Sequence, residues 1–218
     1  MTNKPDRALV DQVKGFMDPE EGARLYEVAL EAGKMGPLFE IGSYCGKSTL
    51  YLGSACKENS TVLFSLDHHR GSEEQQPGEA YFDPELFDEK QGKIDTCPHF
   101  RKTLSLGGLE DTVVAIVGRS SITARFWQTS ISLLFIDGGH TFEAAFNDYN
   151  SWSRHILPGG FLVIHDIFET HAEGGQAPHY VYDLAKASGL YEALPMTKTL
   201  GILRKYAVGE KPANLPVY

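Results

Sequence analysis

Glu40-Ile41-Gly42-Ser43-Tyr44-Cys45-Gly46-Lys47-Ser48-Thr49 decides how this chain folds. It completes Pro37-Leu-Phe, a short apolar run that suits a buried parallel strand, and a helical pattern follows from about Lys47 to Lys57. Strand, glycine-rich turn and helix together make the first half of a βα unit. The Gly46-Lys47-Ser48-Thr49 part matches the second half of a phosphate-binding loop, in which Lys47 would meet phosphates and Ser48 a magnesium ion. That motif requires four residues between its glycines. Here only Ser43, Tyr44 and Cys45 separate Gly42 from Gly46, which reshapes the nest of backbone amides a phosphate needs. The better reading is a nucleoside-binding turn: Gly42 admits a ligand close to the backbone, and Gly46 lets the helix pack near the strand. Asp67 ends the next strand, Thr61 to Leu66, where a carboxylate can accept hydrogen bonds from ribose hydroxyls. The plain alternative is that the glycines only turn the chain and Asp67 only caps a strand.

Outward from this segment the alternation continues. Upstream, Asp18 or Pro19 opens an amphipathic helix that Gly33 and Gly36-Pro37 stop, so residues 1–36 form an N-terminal helical segment. Downstream, residues 68–97 are rich in Gly, Pro, Glu, Gln and His without a period, as in a lid or binding loop. A helix from Pro98 to Leu106, the strand Thr112–Val117, a loop at Gly118–Ser121 and a helix near Ala124 follow. The strand Ile131–Ile136 ends in Asp137-Gly-Gly-His140, which opens a helix reaching about Ile156. Pro158-Gly-Gly160 reads as a turn into the strand Phe161–His165, and residues 167–179 form a second polar loop. A helix from Tyr180 to Ser188 and a strand near Leu200–Arg204 precede a Pro-rich tail. Such βα repeats predict a Rossmann-like, seven-stranded, mostly parallel sheet with helices on both faces, and one domain over residues 1–218. Ligands sit outside the carboxyl ends of such strands, and the unusual polar residues gather there.

Composition narrows the function classes. A chain of 218 residues buries roughly 70% of its unfolded surface and needs no metal or disulfide merely to fold. Twenty basic against 29 acidic side chains give a net charge of −9, which argues against a nucleic-acid partner. No apolar run reaches the roughly 18 residues of a membrane span, and the polar start is no signal peptide. Three cysteines, Cys45, Cys56 and Cys97, without paired spacing suggest reduced thiols and a cytoplasmic location. His69, His99, His155, His171 and His179 read as solvated histidines, and Cys45 and Cys56 as packing residues.

The segment from Glu40 to Ser48 resembles the first motif of class I S-adenosylmethionine-dependent methyltransferases, and is especially similar to the metal-dependent catechol O-methyltransferases. The shared pattern is Glu, apolar, Gly, small, Tyr-Cys-Gly, any, Ser, and the likeness runs from Phe39 to Ile167 outside the loop Gly71–Cys97. The resemblance implies that Gly42, Tyr44 and Ser48 line the methionine part of the cofactor and that Asp67 holds the ribose. It places Ser120, Ser121 and His68 around the adenine, and counts Glu40, the acid that orders the turn, among the cofactor-binding residues.

Methyl transfer from a sulfonium demands alignment and an unprotonated nucleophile. A bound Mg²⁺ lowers the barrier to losing the hydroxyl proton, and carboxylates on adjacent strand ends are suitable ligands for it. In the catechol-type family a metal carboxylate is followed, three residues on, by a general-base lysine. Here Asp137 is followed at that spacing by His140, so Asp137 is expected to contact the cofactor end of the site and the metal, and His140, whose ring needs no lowered pKa to be neutral at pH 7, to act as base. Both could instead cap the following helix. The family's Asp-Asn at the fifth strand is His165-Asp166 here, which also resembles the Glu-Asp doublet of a related branch acting on macrolide sugars. Asp166 is expected as a metal ligand. His165 is assigned there too, with substrate contact and core packing open beside it, and a nitrogen ligand would make Mn²⁺ an alternative. The polar loops favour a sugar, glycoside or oligosaccharide hydroxyl as acceptor, with a secondary similarity to the 1-O-methyltransferase of methylmannose polysaccharides; a catechol or other phenol is the alternative. Tyr81, Phe82 and Tyr180 are candidate stacking surfaces, and a homodimer is expected from family habit.

Overall fold

Residues 4–210 are described by a computed structural model; residues 1–3 and 211–218, the Pro-rich tail among them, lie outside the described residues. The chain runs α1 (Arg7–Gln12), α2 (Pro19–Ala32), β1 (Leu38–Ile41), α3 (Lys47–Glu58) and β2 (Leu63–Asp67). The long loop contains a two-stranded ribbon, β3 (Phe87–Asp88) with β4 (Lys93–Ile94). Then come α4 (Cys97–Leu106), β5 (Val113–Val117), α5 (Ser120–Thr123), β6 (Ile131–Ile136), α6 (Phe142–Trp152), β7 (Ile156–Ile164), α7 (Ala177–Ala187), β8 (Tyr191–Thr197) and β9 (Leu200–Lys205).

Seven strands form one sheet in the order β5-β2-β1-β6-β7-β9-β8, parallel from β5 to β7, with β9 antiparallel to both β7 and β8. The expected architecture is therefore present. All four residues of β1 are buried, and period-two alternation sends them to opposite faces. Leu38 joins the core under α2 and α3, whereas Phe39 and Ile41 join the core that includes Trp152 of α6. Phe39 lies 4.0 Å, ring centre to ring centre, from the fully buried Trp152. Helix α2 starts where expected: Asp18 caps it, and Glu21 reaches back to the Asp18 amide in a capping box.

Two sequence expectations are corrected. Helix α6 ends at Trp152, and β7 already begins at Ile156, before Pro158-Gly-Gly160. Those residues form a bulge, since the register jumps from Ile131 opposite Ile156 to Leu133 opposite Phe161. Gly159 takes a φ of +82°, which explains why a turn-like sequence sits inside a strand. Strand β8 had no distinct sequence signal: at the sheet's edge, Glu192, Ala193, Pro195 and Met196 are exposed or half-buried. The loop at residues 68–97 is anchored by Leu86 and Ile94, which are 3% and 1% exposed, so it is docked on the body of the fold. Among the described residues no helix is long and apolar enough to cross a membrane.

Candidate active site

The turn after β1 is built by a carboxylate from the neighbouring strand. Asp67 Oδ2 accepts hydrogen bonds from the Ser43 and Tyr44 amides at 3.0 and 2.9 Å, and Oδ1 accepts from the His69 amide at 2.7 Å. These amides are the ones a phosphate would need, which removes the phosphate-loop reading. Three of the roughly four acceptor positions of Asp67 are committed to protein, leaving room for about one ribose hydroxyl rather than two. Gly42 and Gly46 take φ of +85° and +91°, and Tyr44 also adopts a left-handed φ of +48°. Asp67→Ala is expected to lower the unfolding free energy by about 1–3 kcal/mol, because buried amides lose their acceptor; urea denaturation measures this.

Glu40 stands one layer deeper. It is fully buried and accepts from Ser48 Oγ at 2.6 Å, Thr49 Oγ1 at 2.7 Å and Ser65 Oγ at 2.7 Å. Glu40 does not border the cavity, so direct cofactor contact is corrected to support of the turn. Burial pushes its carboxyl up to about 7 despite these donors. Folded protein thus binds a proton that unfolded chain has released, and stability falls as pH rises from about 4.5 to about 7. Thermal melts at pH 5 and pH 8 should show a smaller pH-dependent loss in Glu40→Gln than in wild type.

Apart from Glu40, every residue expected to bind cofactor or metal or to act as base borders one cavity of about 1090 Å³ at the carboxyl ends of the parallel strands. Ser120 and Ser121 sit at its β5 side. The Ser120 hydroxyl is already engaged, accepting from Trp152 Nε1 at 2.8 Å and bonding Asp148. Ser121 and His68 are exposed there. Asp148, which the sequence reading missed, is buried, borders the cavity, and is pushed up to about 6 by that burial. Ser43 was missed too: its buried Oγ has no hydrogen-bond partner although the residue borders the cavity. Its only sequence signal was its place between two turn glycines.

At the opposite side, β6 and β7 deliver the acid and histidine cluster. His140 Nε2 lies 3.0 Å from Asp166 Oδ2, and Nδ1 lies 3.1 Å from Glu74 Oε2 on the long loop. The bond to Asp166 outweighs burial and raises His140 to about 9, so it is protonated at neutral pH; the expectation of a neutral ring is corrected for this state. Burial alone would raise the Asp166 carboxyl, but the bonds from His140 and His165 hold it well below the ordinary range. Asp166 takes a φ of +58°, which aims it into the cavity beside His140. His165 is not placed as a metal ligand. It is buried in the cavity floor, with Nδ1 3.0 Å from Asp137 Oδ1 and Nε2 3.0 Å from Glu21 Oε2, and its nitrogens do not fall in the group of ligand atoms that Asp137 and Asp166 form with His140. Asp137, His140 and Asp166 instead present ligand atoms within 4.8 Å of one another, and with the His140 ring neutral this oxygen and nitrogen set would suit a divalent cation.

Aromatic rings line the mouth. Tyr81 borders the cavity as expected, and Phe16, not foreseen, lies 5.4 Å from it and 6.0 Å from Tyr44. Phe82 packs against Phe87, and Tyr180 against Phe142, away from the cavity lining. His69 is buried rather than solvated, its Nδ1 2.7 Å from Thr96 Oγ1.

This sheet order, with a glycine turn, a strand-end acid and a polar cavity over the parallel strands, defines a class I methyltransferase fold. A model described as a methyltransferase domain matches residues 39–167, and the chain belongs to that family. In overall fold it is similar to cofactor-bound Rv0187 from MTB (17% identity over 91% of this chain and 86% of that one, TM-score 0.63). It is similar also to the O-methyltransferase from Bacillus cereus in complex with SAH (14%, 92% and 90%, 0.64). A third such structure is the O-methyltransferase TomG from Streptomyces achromogenes, involved in tomaymycin synthesis, in complex with SAM (13%, 94% and 91%, 0.62).

Proposed function

We propose that this methyltransferase transfers the methyl group of S-adenosylmethionine to a hydroxyl of a sugar or glycoside, with His140 as the proton acceptor. The observation that carries the reading is the grip of Asp166 on His140 in the same cavity as the Gly42–Ser48 turn. When bound, the cofactor supplies an electrophilic methyl on a sulfonium. Gly42 and Tyr44 hold its methionine part, with the unpartnered Ser43 hydroxyl as a further donor. Asp67 takes a ribose hydroxyl, and His68 and Ser121 flank the base. Asp166 fixes Nε2 as the ring nitrogen that carries a proton. Nδ1, now facing the half-exposed Glu74, is then the atom that receives the acceptor's proton. Phe16 and Tyr81 offer flat apolar faces for a pyranose ring.

The triple cluster favours a second reading of the same centre. Asp137, His140 and Asp166 would hold a divalent cation, which would acidify the acceptor hydroxyl, and Glu74 would orient the His140 ring. The pH profile separates the two. With His140 as free base, kcat/KM should rise with pH through about 9 and be indifferent to EDTA. With a cation, EDTA should abolish turnover, Mg²⁺ or Mn²⁺ should restore it, and the rising limb should shift to lower pH. The substrate class is tested by an acceptor screen with labelled methyl donor. Label in glycosides is expected, and label confined to phenols would overturn the sugar assignment.

A further inference from the structure

We propose that Glu21 and His165 are positioning residues through which the first turn of α2 sets the aim of the Asp137 and Asp166 carboxylates. The two acids stand on neighbouring strand ends and repel each other. His165 Nδ1 lies between them, hydrogen-bonded to Asp137 Oδ1 at 3.0 Å and within ion-pair distance of Asp166 Oδ1 at 3.4 Å, so one ring edge faces both acids. Alternation along β7 explains the placement: Phe161, Val163 and His165 share the face packed on α2, while Leu162 and Ile164 face the other core.

The far side of the ring is fixed just as firmly. Nε2 lies 3.0 Å from Glu21 Oε2, and Glu21 Oε1 accepts from the Thr199 amide at 2.8 Å and its hydroxyl at 2.7 Å. The Asp18 amide, at 3.3 Å, adds the capping bond. Glu21 and His165 are 3% and 4% exposed, so water does not compete for these bonds. With both nitrogens on carboxylates, the ring serves as two N–H donors. Asp137 Oδ1 is thereby tied, and Oδ2, without a protein hydrogen bond among the described residues, is left for the cavity.

The inference rests on Asp137 and Asp166 belonging to the reaction centre, and isosteric variants test it. In His165→Asn the amide nitrogen stands where Nδ1 stood and keeps the link to Asp137. In His165→Gln it stands where Nε2 stood and keeps only the link to Glu21. His165→Asn should retain kcat within about tenfold, whereas His165→Gln should lose about 100-fold with KM for S-adenosylmethionine unchanged. A His165→Gln enzyme as active as His165→Asn would overturn the proposal, since stapling α2 to the sheet would then be the whole role. Two readouts need no turnover. Nitrogen-15 histidine labelling of wild type should show two slowly exchanging imidazole N–H protons that vanish in His165→Asn, and a ring with a single N–H overturns the relay. Crystals of His165→Gln should show the Asp137 carboxylate rotated, and an unmoved carboxylate overturns it as well. Wild type that methylates no hydroxyl would fell the functional reading while these two measurements still decide the relay.

Discussion

Replacing His140 by alanine is expected to lower kcat by about 10²–10⁴-fold while leaving the affinity for S-adenosylhomocysteine within about twofold. The separation follows from geometry. The Gly42–Ser48 turn, proposed to receive the methionine part, is held by Asp67 and Glu40, neither of which touches His140, so its shape survives the substitution. The imidazole, by contrast, is the group that bridges Asp166 and the long loop in the cavity. The loss is expected whether the ring accepts a proton or holds a cation, so calorimetric titration with Mn²⁺ accompanies the kinetics. Undiminished turnover in the alanine variant would remove His140 from the reaction. Glu74→Ala should cost far less, because Glu74 is half-exposed and contacts only the outer nitrogen. Asp166→Asn provides the sign test. Without that carboxylate the imidazole loses its largest stabilising partner, and the rising limb of kcat/KM should move from about 9 toward the ordinary histidine range.

What the sequence made legible was whatever depends on neighbours in the chain. The βα alternation, the Asp18 cap, the strand ends and the convergence of Asp67, Asp137 and Asp166 all follow from local periodicity and from the rule that ligands sit at carboxyl ends. Pro158-Gly-Gly160 misled because glycines that allow a turn equally allow a bulge, and only the partner strand's register decides between them. His165 misled for a related reason. Adjacent to Asp166 in sequence, it projects to the other side of the strand end, toward a helix that begins 146 residues earlier at Pro19. Its partner Glu21 already had a complete local explanation as the third residue of a capping box, so nothing in the sequence advertised its second role. The protonated state of His140 was equally hidden. It is set first by Asp166, which reaches the ring only because two strand ends stand side by side, and to a lesser extent by Glu74, whose place is set by a loop without periodicity.

Gly42→Ala is expected to be the most damaging single-methyl change in the turn, with a loss of about 4 kcal/mol in unfolding free energy and of measurable S-adenosylhomocysteine binding. A Cβ at Gly42 would stand 2.0 Å from the Asp137 carbonyl oxygen and 2.9 Å from the Gly138 amide nitrogen, and φ is +85°. Those neighbours are backbone and cannot rotate away. Nor can the strands part freely, since Ile41 pairs with Ile136 and the Asp137 amide donates to the Ile41 carbonyl at 2.9 Å. Relief therefore requires moving either the glycine turn or the segment carrying Asp137, so one methyl group reaches both halves of the proposed site. Gly46→Ala makes the control. Its φ of +91° imposes a similar left-handed penalty of about 1–2 kcal/mol. Its Cβ, however, would meet only the Thr103 and Phe100 side chains, at 3.1 and 3.2 Å, which can give way. A phosphate-cradling loop would need both glycines for the same ligand, whereas here the first is required by the strand beside it and the second by the helix after it. Urea denaturation of the two variants should therefore differ by about 2 kcal/mol or more, and equal stabilities would contradict the close approach of Gly42 to Asp137 on which the joined site depends.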